Sequence, residues 1–222
     1  MRFHKNIFLI LVCFSMAAGL PIAAFGDSTA YQVTVDTSAV NGQTGYIDLQ
    51  FNPASGGSSS QDAWIQIQNL SGATVNFDSS DPNQGAVGGG VSGSLPGMLM
   101  IENLGSTEEY TAGITFGSTM TFNLVFGGPT VDTPDPADFA SGSLFTLDFI
   151  NAGFTDYVLD SDPSGATPIQ IALNNDGTTT PNPTGTNPNA SFGPVLTPEP
   201  ATLLLLSGGL LGFGLLRRLL FA

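Results

Sequence analysis

Carboxylates are the only side chains in the body of this chain that could carry acid–base or metal chemistry. All 18 Asp and Glu residues lie between Asp27 and Pro200, whereas the four Lys and Arg residues, His4 and Cys13 lie within the two ends. A Ser-His-Asp triad, a cysteine nucleophile, a lysine Schiff base and a His/Cys zinc site are therefore excluded from this body. A basic surface for nucleic acid is excluded too, because nothing is present to neutralise phosphates.

Calcium binding is one use of clustered carboxylates, since Ca²⁺ takes about six to eight oxygen ligands. Asp160 and Asp162 could converge with Asp176 if their strands are neighbours. None of the acidic loops has the residue spacing of an EF-hand. We therefore expect either a calcium site at these positions or solvated acidic turns. A second acidic cluster lies in a Pro-rich loop and consists of Asp132, Asp135 and Asp138.

Hydrolysis of glycosides is another possible use of these carboxylates, because it needs only two carboxyl groups at a set separation. General acids of this class usually lie among aromatic and positioning side chains, and the body has one Trp and no Arg or His. We therefore expect a protein that is not an enzyme, with a carboxylate-dependent glycoside hydrolase as the alternative. The candidate acids are Glu102, Glu108, Glu109, Asp148 and Asp156.

Aromatic side chains could stack on sugar rings, as they do in carbohydrate-binding β-sandwiches. Trp64, Tyr46, Tyr110 and Tyr157 are the candidates, although such residues also occur as core or half-buried strand residues. Trp64 directly precedes Ile65, which belongs to an apolar stripe. Since successive side chains of a strand point to opposite faces, Trp64 is the best candidate for ligand contact.

The elements that must position these residues are strands. Apolar and polar residues alternate with a period of two in short runs separated by Gly, Asn, Asp, Ser and Pro, which is typical of antiparallel sheets with one buried face. No body segment has a helical apolar period over three turns. We predict an all-β fold, a single antiparallel β-sandwich or jelly-roll-like domain of eight to ten strands over residues 27–174. The stripes include Tyr31/Val33/Val35, Ile47/Leu49/Phe51, Ile65/Ile67, Val75/Phe77, Phe122/Leu124/Phe126, Phe145/Leu147/Phe149 and Ile169/Ile171/Leu173.

Residues 175–197 differ in composition from the predicted sandwich. They contain Thr, Asn, Pro and Gly but few large apolar side chains. Burial of apolar surface therefore cannot offset the conformational entropy that the segment would lose on folding. We predict an extended stalk between the domain and the C-terminal segment, whose Pro residues hold it away from the membrane.

The two ends have the patterns of targeting segments. Residues 1–26 combine a basic start, an apolar stretch and small residues before Asp27, which predicts a secretory signal peptide. The last residues contain Pro198-Glu199-Pro200, an apolar and Gly-rich run over 201–216, and then Arg217-Arg218. This run predicts a transmembrane helix, and the paired arginines predict that its end stays in the cytoplasm.

The order of these three C-terminal parts closely resembles the PEP-CTERM sorting signal of Gram-negative bacteria that make exopolysaccharide. The resemblance covers residues 198–222, with Pro198, Glu199, Pro200, Arg217 and Arg218 at the motif positions. It implies recognition and cleavage near the motif by exosortase, a membrane-embedded cysteine protease. The protein would be exported across the inner membrane, held there transiently, and then released or placed at the cell surface.

The sequence as a whole predicts an exported surface or extracellular-matrix protein. Its acidic sandwich would be a non-enzymatic binding or structural module, with calcium as a candidate cofactor and exopolysaccharide as a candidate partner. A subunit that self-assembles through exposed edge strands is a further alternative, although its unpaired negative charge opposes association.

Overall fold

The computed structural model describes residues 29–54, 59–104, 108–159, 169–182 and 187–195. Residues 28–195 group into one compact unit. Within the described residues the structure has one short helix, α1 (Pro129–Asp132), a 3₁₀ turn at Ser38–Val40, and eleven strands. The strands are β1 (Ala30–Asp36), β2 (Thr44–Pro53), β3 (Trp64–Val75), β4 (Gly85–Val87), β5 (Val91–Gly93), β6 (Leu99–Glu102), β7 (Glu109–Gly127), β8 (Ser143–Asn151), β9 (Ile169–Leu173), β10 (Thr179–Pro181) and β11 (Ala190–Pro194).

All strand pairs are antiparallel, and the long strand β7 belongs to both layers of the sandwich. Its first half pairs with β2 and β4, and its second half pairs with β1 and with the first part of β3. One layer is therefore β10-β9-β8-β2-β7-β4, and the other is β11-β1-β7-β3-β6-β5. These findings confirm the all-β antiparallel sandwich.

A pair of glycines lets β3 and β7 change layers. Gly72 has φ +78°, and a Cβ added there would lie 1.8 Å from the carbonyl oxygen of Thr119. A Cβ added at Gly117 would lie 2.2 Å from the carbonyl oxygen of Gly72. The β3–β7 register shifts on both sides of Ser71, as expected where a strand bends between layers.

The apolar stripes of both layers form one core. Phe51 of β2 lies edge-to-face with Phe126 of the second half of β7, at a ring-centre distance of 6.0 Å. Every member of the β2, β8 and β9 stripes is buried. Only Phe77 departs from the predicted stripes, being 47% exposed, because β3 ends at Val75.

The predicted stalk over residues 175–197 is wrong for its described part. β10 pairs with β9, and β11 pairs with β1 over five residues, with Phe192 opposite Val33. The Asn189 side chain also donates to the carbonyl of Leu159 at 2.9 Å. The segment is short of apolar side chains, but its backbone groups complete the edges of the two layers, so the folded unit extends to Val195.

No helix among the described residues is long and apolar enough to cross a membrane. The predicted signal peptide (1–26), the predicted transmembrane helix (201–216) and the sorting residues from Pro198 to Arg218 lie outside the described residues.

Candidate functional site

The outer side of β8, β2 and the first half of β7 bears carboxylates and aromatic rings together. On β2, Ile47 and Leu49 are buried in the core, so the alternate residues Tyr46, Asp48 and Gln50 face outward. We call this surface, formed by Tyr46, Asp48, Gln50, Glu109, Thr111, Thr146, Asp148, Phe154 and Tyr157, the acid–aromatic face.

The strand register brings three carboxylates together on this face. Asp48 lies directly opposite Asp148 of β8 and opposite Thr111 of β7. Glu109 lies opposite Gln50, one outward-facing position from Thr111. Side chains opposite one another on antiparallel strands have Cβ atoms about 5 Å apart, and diagonal neighbours about 7 Å. The three acids therefore occupy neighbouring positions on three adjacent strands.

Asp48 is the buried member of this group, with only 7% of its surface exposed. Gln50 Nε2 donates to its Oδ2 at 3.0 Å. The Thr111 hydroxyl lies 3.5 Å from Asp48 Oδ1 and 3.2 Å from Glu109 Oε1, so its one proton is shared between two carboxylates. Both hydrogen-bond partners of Asp48, Gln50 and Thr111, are neutral, so neither supplies a positive charge.

Burial and, after it, the negative charge of Glu109 together raise the pKa of Asp48 to about 6, although the hydrogen bonds from Gln50 and Thr111 act in the opposite direction. The pKa of Tyr157 is also raised, first by burial and then by the charges of Asp148, Asp48 and Glu109. The Tyr157 hydroxyl therefore lies within electrostatic reach of all three acids. No Lys, Arg or His occurs among the described residues to offset this negative charge.

Aromatic side chains border the carboxylates. Tyr46 lies edge-to-face with Phe154 at a ring-centre distance of 5.1 Å. Its hydroxyl donates to Asp81 Oδ2 at 2.8 Å, a hydrogen bond that raises the pKa of Tyr46. Phe154 is 39% exposed and Tyr157 53% exposed, which leaves ring surface open to solvent. The bond to Asp81 and the packing on Phe154 hold the Tyr46 ring in place.

Amide and hydroxyl groups continue the face away from the aromatic rings. Thr146 of β8 lies opposite Gln50, and Gln170 of β9 lies opposite Thr146. Exposed rings for stacking, together with amides and carboxylates that hydrogen-bond to hydroxyl groups, form the set of groups that suits a sugar chain. The face is a sheet surface, which suits an extended polymer.

The aromatic residues singled out in the sequence lie in three different settings. Tyr46 and Tyr157 belong to the acid–aromatic face. Tyr110 is buried and stacks on Phe77 at 6.3 Å. Trp64, the predicted ligand contact, lies outside the face and is half-buried, and a Cβ added at Gly127 would lie 2.1 Å from its ring. The indole therefore lies against the backbone of Gly127, the residue opposite it.

Of the three carboxylates predicted to bind calcium, only Asp176 lies within the described residues. Asp160 and Asp162 lie outside them. Asp176 is exposed, and its Oδ1 accepts from the backbone N–H and the hydroxyl of Thr178, at 3.0 and 2.6 Å, which lowers the pKa of Asp176.

The side chains of the second acidic cluster, Asp132, Asp135 and Asp138, do not come together as a group of three metal ligands. Within the part of the chain that the structure describes, no group of three His, Cys, Asp or Glu side chains could hold a metal ion. Asp132, Asp135 and Asp138 therefore do not converge, and Asp135 Oδ1 instead accepts from the backbone N–H of Asp138 at 3.3 Å.

Sequence reasoning named Glu109 and Asp148 as candidate acids but missed Asp48. The available signal was its place in the alternating run from Tyr46 to Phe51, which puts Asp48 on the polar side of a strand. The burial of Asp48 comes from neighbours on other strands and loops, which this local pattern does not contain.

Comparison with known families finds a match at the C-terminal end of the chain. Residues 196–218 match the PEP-CTERM protein-sorting motif, and the match includes Pro198, Glu199, Pro200, Arg217 and Arg218. Neither the curated proteins nor the solved structures give a significant match. The chain thus carries a PEP-CTERM sorting motif, which supports an exported protein that exosortase processes.

Proposed function

We propose that this chain is an exported protein, sorted by exosortase to the cell surface or matrix, whose sandwich binds polysaccharide without cleaving it. The sorting motif supports export and processing. The acid–aromatic face supports the binding role, and the observation that carries it is the packing of exposed aromatic rings beside the carboxylates and amides of three adjacent strands. Exopolysaccharide of the producing cell is the proposed ligand.

The test is co-sedimentation of the secreted protein with exopolysaccharide purified from the producing cell. We expect the wild-type protein to sediment with the polymer. Tyr157→Ala should reduce the bound fraction, since stacking of one ring contributes about 1 kcal/mol or more. Phe77→Ala is the matched control, because Phe77 is similarly exposed but stacks on Tyr110, whose side chain points to the opposite side of β7 from Glu109. Equal binding by both variants and the wild type would refute this assignment.

A carboxylate-dependent glycoside hydrolase is the second candidate, and one observation favours it. Asp48, with a raised pKa of about 6, lies directly opposite Asp148, and glycoside hydrolysis needs a carboxyl group of raised pKa beside a second carboxyl group. Release of reducing ends from the polymer, lost in Asp48→Asn and retained in Asp132→Asn, would establish hydrolysis in place of binding.

A further inference from the structure

We infer that the outer side of β1, the second half of β7 and the first part of β3 is a second carbohydrate-binding surface, which takes an uncharged sugar chain. The inference rests on the proposed polysaccharide-binding function and adds a separate site, on the other layer of the sandwich from the acid–aromatic face. We call this surface the amide–indole face, and it consists of Thr34, Trp64, Gln66, Gln68, Thr121 and Asn123.

Three side chains of β3 face outward on this layer. Ile65 and Ile67 are buried in the core, so the alternate residues Trp64, Gln66 and Gln68 point to the outer side. All three are half-buried, which leaves part of each side chain open to a ligand. Their positions follow one another along the strand at intervals of about 7 Å.

Two glycines make room for the indole of Trp64. A Cβ added at Gly127 would lie 2.1 Å from the indole, and a Cβ added at Gly128 would lie 3.2 Å from it. A larger residue at Gly127 would therefore displace the ring, whereas glycine lets it rest against the backbone. An aromatic ring that is fixed on one side and partly exposed offers apolar surface to the carbon-bearing face of a sugar ring.

Amide and hydroxyl groups continue the face in rows that cross the strands. Asn123 of β7 lies opposite Gln68 of β3 and opposite Gln32 of β1, so three carboxamides lie side by side. In the next outward-facing row, Thr121 lies opposite Thr34. Adjacent strands are about 5 Å apart, so a ligand on this surface meets hydrogen-bonding groups at short, regular intervals.

The hydrogen-bonding groups of this face favour an uncharged chain. A carboxamide or a hydroxyl both donates and accepts hydrogen bonds, as do the hydroxyl and acetamido groups of sugars. The six side chains of the face carry no charge, and the carboxylates Glu102 and Asp36 lie at its margins, opposite Trp64 and two residues beyond Thr34. A charged sugar would give up water within the face without gaining an opposite charge there.

A cleft of about 510 Å³ lies at the end of the face away from Trp64, and Thr34 is one of its lining residues. Its walls are tied together, since the backbone N–H of Asp36 donates to the carbonyl of Asn189 at 2.8 Å. From Thr121 to Gly127, which lies opposite Trp64, β7 spans about 20 Å. The face is therefore long enough for several sugar rings between the indole and the cleft.

The test is isothermal titration calorimetry of the secreted protein at neutral pH with two uncharged hexasaccharides, of β-1,4-linked glucose and of β-1,4-linked N-acetylglucosamine. We expect at least one of them to bind. Trp64→Leu should weaken that binding about fivefold or more, because ring stacking is lost. Gln68→Met, a half-exposed change that keeps the length of the side chain, should weaken it about threefold or more, because hydrogen bonds are lost.

A matched control and a second polar variant assign the loss to the face. Thr34→Val removes a hydroxyl of the face but keeps its shape, and it should weaken binding as Gln68→Met does. Thr74→Val removes an exposed hydroxyl from the last part of β3, outside both faces, and should leave the affinity unchanged. If Trp64→Leu fails to fold, Gln68→Met and Thr34→Val still decide the question.

The outcomes separate this inference from the proposed function. Equal affinity of the wild type, Gln68→Met and Thr34→Val, or weakening by Tyr157→Ala alone, would overturn the inference and leave polysaccharide binding at the acid–aromatic face intact. Loss of co-sedimentation with the cell's polymer in Trp64→Leu and Gln68→Met, but not in Tyr157→Ala, would support the inference and refute the acid–aromatic face as the binding site. Binding of neither hexasaccharide would overturn the inference, and absence of co-sedimentation as well would overturn both.

Discussion

The backbone N–H of Val195 donates to the carbonyl oxygen of Ala30 at 3.1 Å, so the first residue of β1 and the residue after β11 lie side by side. The antiparallel pairing of these strands, with Tyr31 opposite Pro194, continues this contact into the sheet. The chain thus enters and leaves the folded unit at the same edge. The sorting motif begins at residue 196, directly after the strand pairing ends.

The first prediction tests whether β11 is part of the folded unit. Phe192 lies edge-to-face with Tyr31 at 6.2 Å and packs against the core. Phe192→Ala should lower the free energy of unfolding by about 1 to 3 kcal/mol, measured by urea titration, because it removes partly buried aromatic surface. Pro188→Ala, at an exposed position just before β11, should change stability little. No effect of Phe192→Ala would support a solvated stalk instead.

The second prediction separates steric from conformational demands on glycine. Gly72 and Gly42 have nearly the same φ, +78° and +79°, but a Cβ at Gly72 meets the Thr119 carbonyl whereas a Cβ at Gly42 meets nothing within 4 Å. Gly42→Ala should cost about 1 kcal/mol for the left-handed backbone. Gly72→Ala should cost at least about 3 kcal/mol or prevent folding, because β3 and β7 must move apart.

Thermal and urea unfolding of the two alanine variants measures this difference. Similar losses in both variants would show that the close approach of β3 and β7 can relax without cost, and that only backbone strain matters at these positions.

The core of the fold could be predicted from the sequence because burial alternates along each strand. Residues such as Leu49, Phe122 and Phe145 are fully buried where a period of two places them. The pattern failed at Phe77 because a local pattern does not say where a strand ends. It failed at β11 because the partner of that strand is β1, more than 150 residues away in sequence.

The candidate site could be predicted only in part for a similar reason. Tyr46, Tyr157, Glu109 and Asp148 were recognised by residue type, but their meeting on one face depends on the register of β2 with β7 and β8. The alternation of side chains along the strand favoured Trp64, because it precedes the buried Ile65. Its ring covers the bare backbone of Gly127, a contact between two strands that no local pattern contains.

The third prediction concerns Asn103, which directly follows β6 and links this part of the chain to residues 61–63 and to the start of β8. Its side-chain oxygen accepts from the backbone N–H of Ala63 at 2.7 Å, and its amide donates to the Gln61 carbonyl at 2.9 Å and to the Ser143 hydroxyl at 2.7 Å. The side chain is 5% exposed. Asn103→Ala should lower stability by about 2 to 4 kcal/mol, since several buried polar groups lose their partner.

Two further variants sharpen this test in urea unfolding. Asn103→Asp keeps the acceptor for Ala63 but places an oxygen against the Gln61 carbonyl, so it should also be destabilising. Asn41→Ala, at an exposed position, should have little effect. A neutral result for Asn103→Ala would mean that water replaces all three hydrogen bonds.

The fourth prediction is the pH dependence of stability produced by Asp48. Its pKa is about 6 in the folded protein against an ordinary value of 3.8, so the folded state holds the proton more tightly than the unfolded state does. The contribution of the protonated Asp48 to the free energy of unfolding is therefore fully present below about pH 4 and is lost as the pH rises through 6. The difference between these limits is on the order of 3 kcal/mol.

Asp48→Asn tests this because the amide is neutral at every pH. Above pH 6 the variant should be more stable than the wild type, and the fall in stability between about pH 4 and pH 7 should disappear from urea-unfolding measurements. Asp132→Asn, which removes a carboxylate from an exposed position, should retain the fall in stability over this pH range. The lowered pKa values of Asp36, Asp78 and Asp81 act with the opposite sign, and only as the pH falls below about 4. If stability fell with pH in Asp48→Asn as it does in the wild type, the carboxyl group of Asp48 would have its ordinary pKa in the folded protein.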